Sequence, residues 1–278
     1  MSRSEQPSPA AGLSYEGRTL PRPDDEVVDQ GLAFDITTLF NRRRALQFLG
    51  VGAAGGVLAA CGVSSSTGTS GTSASASAEN STGLTEIPDE TAGPYPGDGS
   101  NGPDVLEQSG VVRSDIRSSF GGSTTTAEGI GMTLTLTVLD IAAGGTPMSG
   151  AAVYVWHCDR AGEYSMYSQS ILGENYLRGV QITDDSGAVT FTSIFPACYS
   201  GRWPHVHFEV YPDRASIIDD SKTIATSQVA LPKNVCDTVY ATTGYEQSVS
   251  NLSQLTLATD NVFGNDGVTV IDTGRLMG

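Results

Sequence analysis

All three histidines of the 278-residue chain fall in one stretch, His157, His205 and His207. In Pro204-His205-Val206-His207-Phe208 two imidazoles stand two residues apart. A strand's period of two puts both on one face, with Val206 on the other. Two neutral imidazoles on one rigid strand make half of a chelating site. What completes the coordination sphere decides the metal. Glu209 shares the face of His207 and would give a His/His/carboxylate triad. Tyr164 and Tyr199 offer phenolates instead, hard anionic donors that suit a ferric ion better than d¹⁰ zinc. With ten tyrosines in the chain, spacing alone favours reading both as ordinary strand-end aromatics. Cysteines without CxxC spacing argue against a structural zinc site.

The elements that must position these residues read as strands. Met132, Leu134, Leu136 and Val138 alternate with threonines, the pattern of a half-buried strand. Residues 152–158, 189–195, 205–211, 223–231 and 268–272 complete the set, punctuated by Gly/Asp turns such as Asp184-Asp185-Ser186-Gly187. Helix is expected only over 234–242 and near 103–108. The fold class is therefore all-β, a β-sandwich of mainly antiparallel strands with short helices and long loops, over residues 85–278.

Composition narrows the function classes. Fifteen Lys plus Arg against thirty-one Asp plus Glu give a net charge of −16, which disfavours a nucleic-acid partner. Residues 1–60 read as an export signal. Arg42-Arg43-Arg44 precede a short Gly/Ala-rich run ending in Leu58-Ala59-Ala60-Cys61. The arginines resemble a twin-arginine signal, although Leu46 is followed by Gln47 where a second apolar residue is expected. Leu-Ala-Ala-Cys resembles a lipobox. The run is too short and mild for a membrane span, so membrane contact is expected only through a lipid anchor at Cys61. Residues 61–84, rich in Ser, Thr, Gly and Ala, read as a flexible tether. Beyond Cys61 nine basic residues face twenty-four acidic ones, an acidic solvated surface. The protein is expected to be exported, extracellular or at the cell surface.

The segments VYVWHCDRAGEYSMY, TDDSGAVTFTSIFPACYSG and RWPHVHFEV resemble the core of the intradiol ring-cleavage dioxygenases, such as catechol 1,2-dioxygenase and protocatechuate 3,4-dioxygenase. The Trp-His, Gly-x-Tyr, Asp-x-x-Gly, Pro-x-x-Tyr and Arg-x-Pro-His-x-His elements occur in the family's order, and the resemblance covers residues 88–232. GPYPGDG (93–99) is similar to the family's segment beside the active site.

The resemblance implies a non-haem Fe(III) ion held by Tyr164, Tyr199, His205 and His207, with Tyr199 the phenolate that leaves when substrate chelates. It assigns Arg202 to balancing substrate charge and Gln228 to a place near the bound intermediate. His157 then packs or makes a hydrogen bond behind the ligands, and Tyr95 borders the pocket or caps the sandwich. The substrates implied are a small aromatic diol and O₂, with ring opening between the two hydroxyl-bearing carbons to a muconate-type diacid. No organic cofactor is required, and the family admits a homodimer. In an oxidising compartment two of Cys158, Cys198 and Cys236 are expected to pair. Two rival readings are a non-catalytic tethered sandwich that binds aromatic or plant polymers, and a copper or zinc protein using all three histidines.

Overall fold

The computed structural model describes residues 14–15, 18–19, 84 and 86–264. The signal, the tether and the expected strand at 268–272 lie largely or wholly outside the described residues. Ten strands are seen among them. β1 (Ser14–Tyr15) and β2 (Arg18–Thr19) form a short antiparallel pair. The main body contains β3 (Gly131–Thr137), β4 (Leu139–Asp140), β5 (Thr146–Pro147), β6 (Ala152–Trp156), β7 (Arg178–Ile182), β8 (Ala188–Ile194), β9 (His205–Tyr211) and β10 (Ala225–Ala230). β6 to β10 without β8 form a four-stranded antiparallel sheet in the order β10-β9-β6-β7, and β3 pairs antiparallel with β8.

These two layers close on an apolar core. Val153 and Val155 of β6, Val206, Phe208 and Val210 of β9 and Val229 of β10 pack against Leu134, Val189 and Phe191 of the β3–β8 pair. Period-two geometry sends the alternate residues to the opposite face. There Ala152, Tyr154, Trp156 and Tyr211 are buried under long loops contributing Val105, Leu106, Tyr164 and Ala197. Covering both faces explains why β6 and β9 are buried at every position, and why their sequences lack a simple polar alternation. The fold is an all-β sandwich.

Among the longer described elements, expectation and structure agree to within a few residues except in three places. The segment 103–108 is a turn, with Leu106 N–H bonded to the Asp104 carboxylate, because the aspartate competes for the backbone as it does in Asx turns. Strand β7 has no counterpart among the expected strands; Arg178 and Gly179 dilute its apolar signal. Helix α1 (Lys233–Tyr240) falls where a helix was expected. A second helix, α2 (Glu246–Leu252), was not expected, because its Gln/Ser/Asn-rich surface carries little hydrophobic period.

The cysteine pairing expected from an oxidising compartment is not present. Cys158, Cys198 and Cys236 are buried free thiols. Cys158 Sγ points to the Ala197 carbonyl at 3.7 Å and Cys198 Sγ to the Arg202 carbonyl at 3.5 Å. Cys158 and Cys198 thus each have a backbone acceptor, and as small apolar groups all three thiols suit the core.

Candidate metal centre

Strand β9 carries His205 and His207 on the face away from the sandwich core. Its pairing sets Trp156 opposite His207 on β6 and Gln228 opposite His207 on β10. The Trp156 indole stacks on the His207 ring, 8° from parallel with centroids 4.9 Å apart. His207 is thereby held flat in mid-sheet. The His205 ring is fixed differently, by a 2.6 Å contact from Nδ1 to the Trp203 carbonyl. That carbonyl can only accept, so Nδ1 carries the hydrogen and Nε2 presents its lone pair.

Two loops bring the phenols over these nitrogens. The Asp159 carboxylate accepts from the N–H groups of Ala161 and Glu163, and the Asp159 carbonyl accepts from Ala197 N–H. One residue therefore shapes the turn leading to Tyr164 and ties it to the chain leading to Tyr199. Gly162 has φ +90°, and a Cβ there would lie 3.1 Å from Tyr199 Cβ; only glycine allows this approach without strain. On the far side, Ser248 Oγ of α2 accepts from Cys198 N–H, and Asn251 Nδ2 donates to the Cys198 carbonyl. The unexpected helix thus braces the residue before Tyr199.

The four groups converge. Tyr164 Oη lies 3.5 Å from Tyr199 Oη and 3.4 Å from both His205 Nε2 and His207 Nε2. Tyr199 Oη lies 3.3 Å from His205 Nε2, and the two Nε2 atoms are 3.1 Å apart. Hydroxyl hydrogen bonds run near 2.7–2.8 Å, so these edges are long for hydrogen bonds. They match the separation of donors sharing one cation about 2.0–2.2 Å from each. The His205 Nε2 lone pair faces His207 Nε2 at 3.1 Å, an edge that positive charge between the two rings would satisfy. Protons do not supply it readily. Burial and the Arg202 charge push His205 down to about 3, and burial with the neighbouring His205 holds His207 well below its ordinary value. Burial also holds both phenols protonated beyond their ordinary value. A metal cation reverses that balance by binding the phenolates directly, so a hard, highly charged ion fits this set.

Arg202 and Gln228 sit beside the cluster. Arg202 Nη2 donates to Gln228 Oε1 at 2.7 Å, and Gln228 Nε2 donates to the Thr91 carbonyl at 2.8 Å. The Arg202 charge draws down the proton affinity of both phenols. Gly93 covers the opposite side; a Cβ there would lie 3.2 Å from His207 Cε1. The Tyr95 ring packs 4.9 Å from that of Tyr164, so the segment 93–99 borders the cluster. Buried Arg178 staples this segment, donating to the carbonyls of Tyr95, Pro96 and Ser165.

Two expected candidates are elsewhere. His157 spends both ring nitrogens, one 2.7 Å from Ser193 Oγ and the other 2.7 Å from the Cys158 carbonyl, which leaves it no lone pair for a shared ion. Glu209 is buried and accepts from Tyr211 Oη at 2.8 Å. Both tryptophans are buried as well, Trp156 completely and Trp203 at 3% exposure; neither belongs to an exposed aromatic strip.

A family model described as Dioxygenase matches residues 101–213, the span that holds Tyr164, Tyr199, Arg202, His205 and His207. That span is less than half of the chain, and over it the chain is similar to the intradiol ring-cleavage dioxygenases. Over 55 residues it is 38% identical to chlorocatechol 1,2-dioxygenase of Rhodococcus opacus, covering 20% of this chain and 21% of that protein. It is 42% identical over 55 residues to catechol 1,2-dioxygenase of Candida albicans, covering 20% and 18% respectively. The chain thus matches about a fifth of the length of these curated relatives. In structure it is similar to an intradiol ring-cleavage dioxygenase from Tetranychus urticae, with a TM-score of 0.50, 24% identity, and coverage of 66% of this chain and 82% of that one. This likeness is one of fold.

Around the cluster, sequence reasoning missed Asp159, Arg178 and Asp260. Arg178 left a signal, a charge inside the apolar run Leu177–Ile182. Asp159 left a weaker one, an Asx-type residue at the turn before Gly162. The link from Asp260 to Arg202 spans 58 residues, and no local pattern encodes it.

Proposed function

We propose that this chain is a non-haem Fe(III) dioxygenase that inserts both atoms of O₂ into a catechol-type aromatic and opens the ring between its hydroxyl-bearing carbons to a muconate-type diacid. The reading rests on one observation, the convergence of two phenol oxygens and two imidazole Nε2 atoms within 3.1–3.5 Å. Tyr164, Tyr199, His205 and His207 would hold the iron. Bound there, Fe(III) supplies the Lewis acidity that ionises phenols and draws electron density from a chelated diol.

The chain's own residues do the rest. Tyr164 is deeply buried at 3% exposure and stays as a fixed donor. Tyr199 is only part-buried, so its Oη can swing off and take a proton from a substrate hydroxyl. The Arg202 guanidinium balances the negative charge of the ionised diol. Gln228 orients Arg202 through Oε1 while its Nε2 is tied to Thr91. Tyr95 and Gly93 close the side near His207 and keep water from the reacting ring.

The Cys61 motif and the Ser/Thr/Gly stretch after it support an exported, lipid-tethered enzyme. Palmitate labelling that disappears in Cys61→Ala would bear this out; labelling that persists would overturn it.

The function is tested by the visible spectrum of the protein from residue 62 onward, folded with iron, before and after anaerobic catechol. A tyrosinate–Fe(III) charge-transfer band that moves to longer wavelength, and is lost in Tyr164→Phe, supports the proposal. A colourless protein retaining stoichiometric zinc or copper overturns it.

A further inference from the structure

The Arg202 guanidinium is held by more than Gln228. Its Nε donates to Asp260 Oδ2 at 3.1 Å. The two side chains are buried, at 11% and 0% exposure. Asp260 is itself pinned from three backbone positions. Trp203 N–H donates to Oδ2 at 2.7 Å, and Val262 and Phe263 N–H donate to Oδ1 at 2.9 and 3.0 Å. The carboxylate thus reads both the side chain of Arg202 and the backbone of the next residue. It fixes Trp203 as well, whose carbonyl holds His205 Nδ1 at 2.6 Å.

A guanidinium is a planar fork, so two fixed nitrogens fix the third. Nε is taken by Asp260 and Nη2 by Gln228. Among the described residues Nη1 has no hydrogen-bond acceptor. Phe263, three residues past Asp260, places its ring 5.8 Å from the guanidinium carbon and 6.4 Å from the His205 ring centroid. The groups that hold Arg202, namely Gln228, Asp260 and Phe263, lie beyond the span that the family model matches.

We propose that Asp260 is the positioning residue of the site. It clamps Nε so that the free Nη1 edge of Arg202 is presented to the oxygen of an ionised aromatic diol. The inference rests on the functional reading above only for what Arg202 touches; the clamp itself is a property of the folded chain.

The test uses the iron-loaded protein from residue 62 onward, with Asp260→Asn, Arg202→Gln and the double variant. In the same protein loaded with diamagnetic Ga(III) in place of iron, the wild-type Arg202 Nε–H gives a ¹⁵N resonance that exchanges slowly with water, and Asp260→Asn makes it fast. Asp260→Asn lowers kcat for catechol about tenfold or more, with iron content and the resting visible band retained. In the Arg202→Gln background the same substitution changes kcat less than about twofold. Unchanged Nε–H exchange in Asp260→Asn, or an equal kcat loss in both backgrounds, would overturn the proposal. If iron-loaded wild type cleaves no catechol, the functional reading fails while the exchange measurement still decides the clamp.

Discussion

Gly162 and Tyr199 meet so closely that a methyl group on Gly162 would need Tyr199 to give way by a few tenths of an ångström. With φ at +90° and a would-be Cβ 3.1 Å from Tyr199 Cβ, Gly162→Ala must either strain its backbone or push the phenol aside. The strain costs about 1–2 kcal/mol, which lowers the melting temperature by about 2–8 °C in a domain of this size. On the proposed iron site the displacement should also weaken metal binding, because Tyr199 Oη is one of four donor atoms gathered at one point. Calorimetry and iron titration check both effects. An alanine variant with unaltered melting and iron affinity would show that the close approach has slack.

The buried histidines set the acid limit of the metal-free protein. Burial pushes His157 down to about 4 from an ordinary 6.5. Between these values the unfolded chain binds a proton that the folded chain refuses, so stability falls as pH falls from about 6.5 toward 4. His157 alone contributes roughly 3 kcal/mol over that window, and His205 and His207 act in the same sense. His157→Gln keeps a partner for Ser193 but cannot titrate. Urea unfolding of metal-free protein at pH 7 and pH 4.5 should give a smaller difference for this variant than for wild type.

Arg178 is the staple of the segment that borders the site. Replacing it with Met removes donors from the carbonyls of Tyr95, Pro96 and Ser165. Buried polar groups that lose a partner cost about 1–3 kcal/mol each; the Pro96 carbonyl keeps Tyr154 Oη at 2.7 Å, so the variant should lose about 2 kcal/mol or more. Limited proteolysis should find new cleavage within 93–99 before the sandwich itself is cut.

The three thiols are predicted to be silent in the folded state. Burial pushes Cys198 and Cys236 up to about 12 and Cys158 well above its ordinary value, and a thiol that cannot ionise is a poor nucleophile. Protein from residue 62 onward should bind no thiol reagent until denatured, and then three equivalents. A mass two units low, with one equivalent, would instead reveal a disulfide.

Much of the site was legible in the sequence because its ligand-bearing residues lie on short local patterns. His205 and His207 share a strand whose period fixes their face, and Tyr164 and Tyr199 follow motifs in which a glycine or proline sets the turn. The sandwich was legible for the same reason, from alternation in 132–138 and the turns between strands. What escaped was contact at long range. Asp260 reaches Arg202 across 58 residues, and Ser248 and Asn251 reach Cys198 from a polar helix. Strand β7 escaped because a buried arginine sits at its start, where hydrogen bonds rather than apolarity account for its burial.

The run ahead of Gly93 is sewn to the edge strand β10. Glu90 N–H donates to the Thr226 carbonyl, Ser227 Oγ donates to the Pro88 carbonyl, and Gln228 grips the Thr91 carbonyl. Residue 84 is seven residues before Thr91, so whatever is joined there begins within roughly 25 Å of Gln228. The domain therefore hangs from its working side, like a lamp whose cord enters beside the bulb. Any anchor, fusion partner or affinity tag placed upstream starts close to Gln228, and on the proposed function a bulky one should slow turnover of large catechols before it affects small ones.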